Sequence, residues 1–391
     1  MRVAIVLGAS VGGIGTYVRD LAERCVECGD QVVVAGPAAT EEHFNFTSVG
    51  ARFVTVAVDD PAALPKLRRV LAQADVVHSH GFKAAAMTNL ARVGLRGPRH
   101  VVTLHNAILT DGLRARISAV VERLAVRPSD VVLGASADLV QRAKQLGARQ
   151  ADLGVVPAPL SAASTRPRAE VRAELGIGSD DEALAVAVGR LAPQKSLPLL
   201  LDAVAEFAEF GELDGVAEAA ELAAAGNQGP KRSLRLVIAG DGPEREQLAA
   251  RIAAEQLPVT LLGHRTDIAD LLAAADVFVL SSRWEARALV VQEALRAGVP
   301  VVATVVGGLP ELVGDAALLV PWNDADALAG ALARVLSDSA LSDRLREAGP
   351  IQAATWPTAE EALDSARRWY SAKAEPDRVS RPVSVKVPKH K

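Results

Sequence analysis

The feature that most constrains this chain is an alternation kept up over most of its length: short β-branched and aliphatic runs, each followed by a stretch with helical spacing. Strand–helix–strand order implies parallel pairing, because parallel neighbours need a crossover long enough to hold a helix. Strands are expected near residues 2–8, 31–35, 52–57, 75–79, 100–104, 130–134 and 153–156, and again near 183–188, 234–239, 259–262, 276–281, 300–303 and 318–320. Between the two sets Pro157, Pro159 and Pro167 spoil regular structure, so a domain boundary is expected between residues 157 and 178. A chain of 391 residues can bury two cores, and with aromatics at 3% those cores must come mostly from Val, Leu, Ala and Ile. The expected class is α/β, with two parallel-sheet domains.

Composition excludes several functions. A net charge of −4 gives no electrostatic case for nucleic acid or an anionic membrane. No segment reaches the roughly 18–20 uninterrupted apolar residues that span a bilayer. The N-terminal apolar run is too short for a signal-peptide core, so a cytoplasmic location is expected. The only two cysteines, Cys25 and Cys28, fall near the end of an amphipathic helix, where a redox pair would lack the low thiolate pKa of a helix start. With no second pair to complete a zinc site, they read as structural. Asp324-Ala325-Asp326 is an Asp-x-Asp sequence, but it starts a helical pattern and reads as a cap. No obligatory metal is expected.

Two carboxylates carry most of the chemistry. The buried-strand pattern at 275–282 runs into Arg283-Trp284-Glu285, and Leu289, Val290 and Leu295 give the apolar face of a following helix that ends at Gly298. Glu285 therefore sits at the carboxyl edge of a strand, where open α/β sheets bind ligands and a helix N-terminus offers free N–H groups to an anion. Glu293 lies in the same helix and leans back toward its start. Carboxylates accept paired hydrogen bonds from vicinal hydroxyls, so the pair suits sugars on either side of a phosphate. Arg190 and Lys195 follow the strand at 183–188, and a planar fork with a point charge clamps a diphosphate well. Either cation alone would read as ordinary surface charge.

The first half adds a glycine-rich turn and three strand-end histidines. Gly8-Ala9-Ser10-Val11-Gly12-Gly13-Ile14-Gly15 lets backbone approach a phosphate, yet it does not fit G-x-G-x-x-G. The second strand also ends without an acidic residue for a ribose, which disfavours an NAD enzyme. His78, His80 and His105 end strands, where a histidine can donate to a sugar hydroxyl or polarise a leaving group while neutral or charged near pH 7.

Together, Gly189-Arg190-Leu191 with Lys195, Val237 to Glu244 around Gly240-Asp241-Gly242, Glu285-x7-Glu293, and Pro300 to Glu311 around Gly307-Gly308 resemble the C-terminal half of a retaining glycosyltransferase of family 4. Weaker similarity covers the rest of the chain except the tail. The resemblance implies a GT-B fold, with two Rossmann-like domains facing a central cleft. It implies transfer of a hexosyl or N-acetylhexosaminyl group, independent of metal, from a nucleoside-diphosphate sugar to the hydroxyl of an unidentified acceptor, whether a small molecule, a glycan or a lipid-linked one, and leaves room for peripheral contact with a membrane. The nucleotide sugar is a substrate, and no cofactor is implied. By resemblance Gly12 and Gly13 close over the donor diphosphate, and His105 faces the reacting sugar. Arg190, Lys195 and the helix start at Leu289 stabilise the leaving group. Glu285 holds sugar hydroxyls, Glu293 the ribose, and the backbone around Arg265 the base. Two alternatives stay open: a sugar-nucleotide epimerase of similar architecture, and a nucleotide-sugar-binding protein without catalysis.

The implied organisation is an acceptor-side domain over 1–165, a nucleotide-sugar domain over 166–355, a helix over 356–374 crossing back to the first domain, and a disordered basic tail over 375–391. Residues 207–233 read as a helix extended by a mobile loop. One departure stands out: Ala286-Arg287-Ala288 follows the first Glu where the family usually has small or aromatic residues and a Gly. Arg287 adds a cation near the donor sugar, with a solvent-facing arginine as the simpler expectation.

Overall fold

The computed structural model describes residues 1–371 except 11, 96, 110–111, 158–162, 180 and 213–231. Seven strands form the first sheet: β1 (Arg2–Leu7), β2 (Gln31–Gly36), β3 (Arg52–Thr55), β4 (Val76–His80), β5 (Arg99–Leu104), β6 (Val131–Gly134) and β7 (Ala151–Leu153). Six form the second: β8 (Glu182–Val188), β9 (Ser233–Ala239), β10 (Val259–Gly263), β11 (Val277–Leu280), β12 (Val301–Thr304) and β13 (Leu318–Val320). The spatial orders are β3-β2-β1-β4-β5-β6-β7 and β10-β9-β8-β11-β12-β13, and β1, for instance, pairs parallel to both β2 and β4. Each is a doubly wound, Rossmann-like sheet covered by helices.

Central strands are buried on both faces, which is why they read as unbroken apolar runs; all five residues of β4 are enclosed. Separate clusters line the faces, with Val3, Ile5 and Leu104 in the first lobe and Leu184, Phe278 and Val301 in the second. At the amino-terminal edge of the second sheet Asp276 accepts from the Leu184 N–H at 2.8 Å and from Arg172 Nη1 at 3.0 Å. Those bonds hold the starts of β8 and β11 side by side.

One strand reading is corrected. The run expected at 153–156 pairs only over Ala151–Leu153, and Val155 and Val156 instead pack against the first lobe's core, so their apolar character reflects packing. The helix before the Ala/Glu-rich segment spans Leu197–Glu212, and the loop expected beyond it lies outside the described residues, as does the tail at 375–391. The last described helix, Ala359–Ser371, starts two residues after Pro357, and a reciprocal Thr358–Glu361 capping box opens it. Its Ala362, Leu363, Ala366 and Tyr370 pack into the first lobe's cluster, whereas Trp356 packs into the second's. The chain therefore crosses from one lobe to the other over these few residues. No helix among the described residues is long and apolar enough to cross a membrane.

Candidate active site

In both sheets the winding direction reverses at one place, between β1 and β4 in the first and between β8 and β11 in the second. The loops leaving the carboxyl ends of such strand pairs diverge and leave a crevice. Beyond β8 the chain forms a tight turn, Pro193–Lys195, and beyond β11 it runs through Ser281 to Ala288 into the helix Leu289–Arg296. The two segments are laced together. The Arg283 N–H donates to the Gln194 carbonyl at 2.7 Å, Gln194 Nε2 to the Trp284 carbonyl at 2.9 Å, and Ser281 Oγ to the Lys195 carbonyl at 2.9 Å.

This lacing brings Lys195 to Glu285. Lys195 Nζ lies 2.6 Å from Glu285 Oε1, which also accepts from Ser282 Oγ at 2.8 Å. With Oε1 doubly engaged, Oε2 is the oxygen left to accept from a bound hydroxyl. Arg190 lies exposed just past β8, with no hydrogen bond or ion pair among the described residues. Glu293 sits half-buried in the second turn of the helix from Leu289, its carboxyl pushed up by burial and held down in part by Arg296. Arg265 follows β10 and turns its guanidinium onto Asp267 and Glu174, so its side chain is committed to structure and only its backbone is available nearby.

Glycines set how closely these loops approach. A Cβ at Gly13 would lie 2.5 Å from Leu289 Cδ1, so the first lobe's helix start meets the Leu289 side chain of the second, which a larger residue at 13 would push aside. Gly12 precedes it in open space. Gly307, at φ +53°, rests on Glu285: a Cβ there would lie 2.0 Å from that residue's carbonyl oxygen, while the Gly308 N–H donates to the same carbonyl at 2.8 Å. The Gly307-Gly308 pair thus fixes the backbone of Glu285. Trp284 reaches the other way, donating Nε1–H to Asp138 Oδ2 at 2.7 Å and packing in the first lobe's cluster.

From the first lobe, His105 follows β5 and is enclosed. Its Nε2 lies 3.0 Å from His80 Nδ1, and Tyr17 packs edge-on to both rings. Burial pushes the His105 imidazole down to about 4, so it is neutral near pH 7 and can donate or accept a hydrogen bond but carries no charge. His78 plays a structural part, linking Tyr370 Oη at 2.8 Å and Thr103 Oγ1 at 2.7 Å, with burial pushing it down to about 3.

The structure therefore brings Lys195 to Glu285 and Leu289 to Gly13, and sets His105 at the end of β5. The side chain of Arg265 is not drawn in. Ser282, Gln194 and the Trp284–Asp138 bond escaped sequence reasoning; the one local signal was the hydroxyl pair Ser281-Ser282 ending an apolar strand. Asp324 caps the helix Ala325–Ser337 by accepting from the Ala327 N–H at 2.9 Å, as read. Cys25 is buried in the first helix, where burial pushes its thiol up to about 12, and Cys28 caps that helix. Arg287 is partly exposed, with its Nε and Nη2 enclosed, so the solvent-facing expectation holds only for part of the side chain.

The comparisons decide the family. Residues 168–352 match the model for glycosyl transferases group 1, and residues 12–159 match a glycosyl transferase 4-like domain. A D-inositol 3-phosphate glycosyltransferase of Nocardioides is 32% identical over 75% of this chain and 67% of that relative. The chain belongs to the group 1 glycosyltransferases. An alpha-D-kanosaminyltransferase of Streptomyces kanamyceticus is 28% identical over 74% of this chain and 75% of its own. Among solved structures, Anabaena HepE in complex with UDP and glucose superposes at a TM-score of 0.76 with 20% identity, over 95% of this glycosyltransferase and 100% of HepE. That likeness establishes the GT-B fold. Neither an epimerase nor a binding protein without catalysis is what the matched family models describe.

Proposed function

We propose that this glycosyltransferase holds a nucleoside-diphosphate hexose or N-acetylhexosamine between its lobes and passes the sugar, with retention and without a metal ion, to an acceptor hydroxyl. The observation that carries the reading is the Lys195–Glu285 contact at the second sheet's switch point, beside a helix start that meets Gly13. As the bond from the anomeric carbon to the diphosphate breaks, both electrons leave on the diphosphate. Arg190, Lys195 and the N–H groups at Leu289 are the groups that would stabilise that charge. Glu285 Oε2 takes sugar hydroxyls, and Glu293 takes the ribose. His105, its Nε2 engaged by His80, offers Nδ1 to a sugar hydroxyl while the acceptor oxygen bonds to the anomeric carbon and its proton passes to the oxygen of the departing diphosphate. UDP, named with Anabaena HepE, is the first nucleotide to try. Nucleotide sugars are made in the cytoplasm, and the protein is placed there.

The test is a transfer assay in the presence of EDTA, with UDP-glucose and UDP-N-acetylglucosamine against a panel of acceptors, read by mass spectrometry and NMR. A product with the donor's anomeric configuration is expected. An inverted product, conversion of donor without acceptor, or loss of turnover in EDTA contradicts the reading.

A further inference from the structure

The helix Gly112–Val126, on the first lobe, carries an apolar face that no described residue covers. From Gly112 to Val121 none of its described residues is buried, and only its last turns, through Ala125 and Val126, enter the core. Ile117, Val120 and Leu124 recur at the three- and four-residue spacing that puts side chains on one face, and they are 61%, 53% and 38% exposed. Asn89 Nδ2 donates to the Leu124 and Ala125 carbonyls at 2.9 and 3.0 Å, so the end of the helix Phe82–Arg92 lies alongside. That helix adds exposed Leu90, and Val93 follows it at 70% exposure. Aliphatic side chains left bare in such a group mark a surface that meets something other than water.

The charges beside the face narrow its occupant. Arg116 and Arg123 run along one edge of the stripe, both exposed and without an ion pair among the described residues, and Lys83 stands exposed on the neighbouring helix. The two helices hold one acidic residue, Glu122, which is buried away from the face and bridged to Arg142. The net charge of −4 belongs to the chain as a whole, and this face runs against it. A second copy laid symmetrically on the same face would bring the arginines toward their own counterparts with no anion between them, and a nucleic acid would leave the aliphatics bare. An anionic bilayer satisfies both sets of groups: the aliphatics enter the boundary between headgroups and acyl chains while the guanidiniums reach lipid phosphates.

We propose that this face docks the protein on an anionic lipid surface. The chain enters the helix from His105, past the end of β5, through a loop that carries exposed Leu109, so the docked face extends from the lip of the cleft. A transferase docked in this way meets an acceptor presented by the membrane. That consequence rests on the proposed function; the docking itself does not.

The test is flotation of the full chain with vesicles of phosphatidylcholine alone and of phosphatidylcholine mixed with phosphatidylglycerol, at low and at high salt. Wild type is compared with Arg116→Glu/Arg123→Glu, with Ile117→Ser/Val120→Ser and, as an equal change of charge on the second lobe, with Arg344→Glu/Arg346→Glu. All of these side chains are exposed, and an unchanged thermal midpoint checks that each variant folds. Wild type is expected to bind the mixed vesicles roughly tenfold more tightly than phosphatidylcholine alone, with high salt reducing the preference. Arg116→Glu/Arg123→Glu should lose that preference, Ile117→Ser/Val120→Ser should weaken binding to the mixed vesicles by roughly tenfold, and the second-lobe variant should match wild type. No binding of wild type to either vesicle, or equal binding by wild type and both face variants, overturns the proposal. So does light scattering that shows a dimer which Ile117→Ser/Val120→Ser converts to a monomer, since the face then belongs to a second copy. Nucleotide binding enters none of these readouts, so a failure of the donor site is told apart from a failure of the docking.

Discussion

At the scale of single residues, the account turns on charge placed before the substrate arrives. Lys195 is held by Glu285, and in the proposed reaction it is the cation nearest the leaving group; on that reading Lys195→Ala lowers kcat by roughly 10²–10³ with an unchanged circular dichroism spectrum. A variant within about threefold of wild type would remove Lys195 from the reaction. His105 behaves differently. Because burial pushes its imidazole down to about 4, the profile of kcat against pH should show no acid limb near 6.5 from this residue. A limb there that disappears in His105→Gln would mean the ring titrates in the open cleft. Lys195, Glu285 and Leu289 were legible in the sequence because strand-end placement follows from alternation and motif spacing. The partial enclosure of Arg287 was not, since it depends on tertiary packing around the loop from Glu285 to Leu289. The commitment of the Arg265 side chain was equally hidden, as Glu174 lies far away along the chain.

Elements position these residues through a few polar contacts. Asp276 joins the starts of β8 and β11 through the Leu184 N–H and Arg172, so Asp276→Ala strands a buried guanidinium and should cost about 3–5 kcal/mol in denaturant unfolding. A cost below about 1 kcal/mol would show that solvent replaces those bonds. Trp284→Phe tests the other side: losing the bond to Asp138 should cost about 1 kcal/mol and loosen Glu285, which precedes the Gly307-Gly308 brace. An unchanged unfolding midpoint would show that the indole N–H contributes nothing. Most strands were legible because parallel strands buried on both faces are unbroken apolar runs. The reading slipped at Val155 and Val156, where apolar residues pack on the core without pairing. Strand order was not legible at all, and it is the order that creates the two switch points.

Across the whole molecule, the first lobe buries histidines that also tie in the last described helix through Tyr370. An ordinary imidazole titrates near 6.5, while burial holds His105 near 4 and His78 near 3. The unfolded chain therefore binds more protons below 6.5. The stability these residues contribute is complete above 6.5 and is lost as pH falls from there toward 4 and 3. Thermal midpoints should decline through that window, and less steeply in His78→Gln; a flat profile from 7 to 4 would show that the histidines protonate in place. The central claim is that two lobes converge on one nucleotide, with the second lobe's carboxylates gripping its sugars. Calorimetric titration with UDP, GDP, ADP and dTDP, on wild type and on Glu293→Ala, measures that directly. The account predicts that at least one of the four binds wild type and that Glu293→Ala weakens it by roughly tenfold or more. Binding by none of them, or equal binding by both proteins, would contradict it.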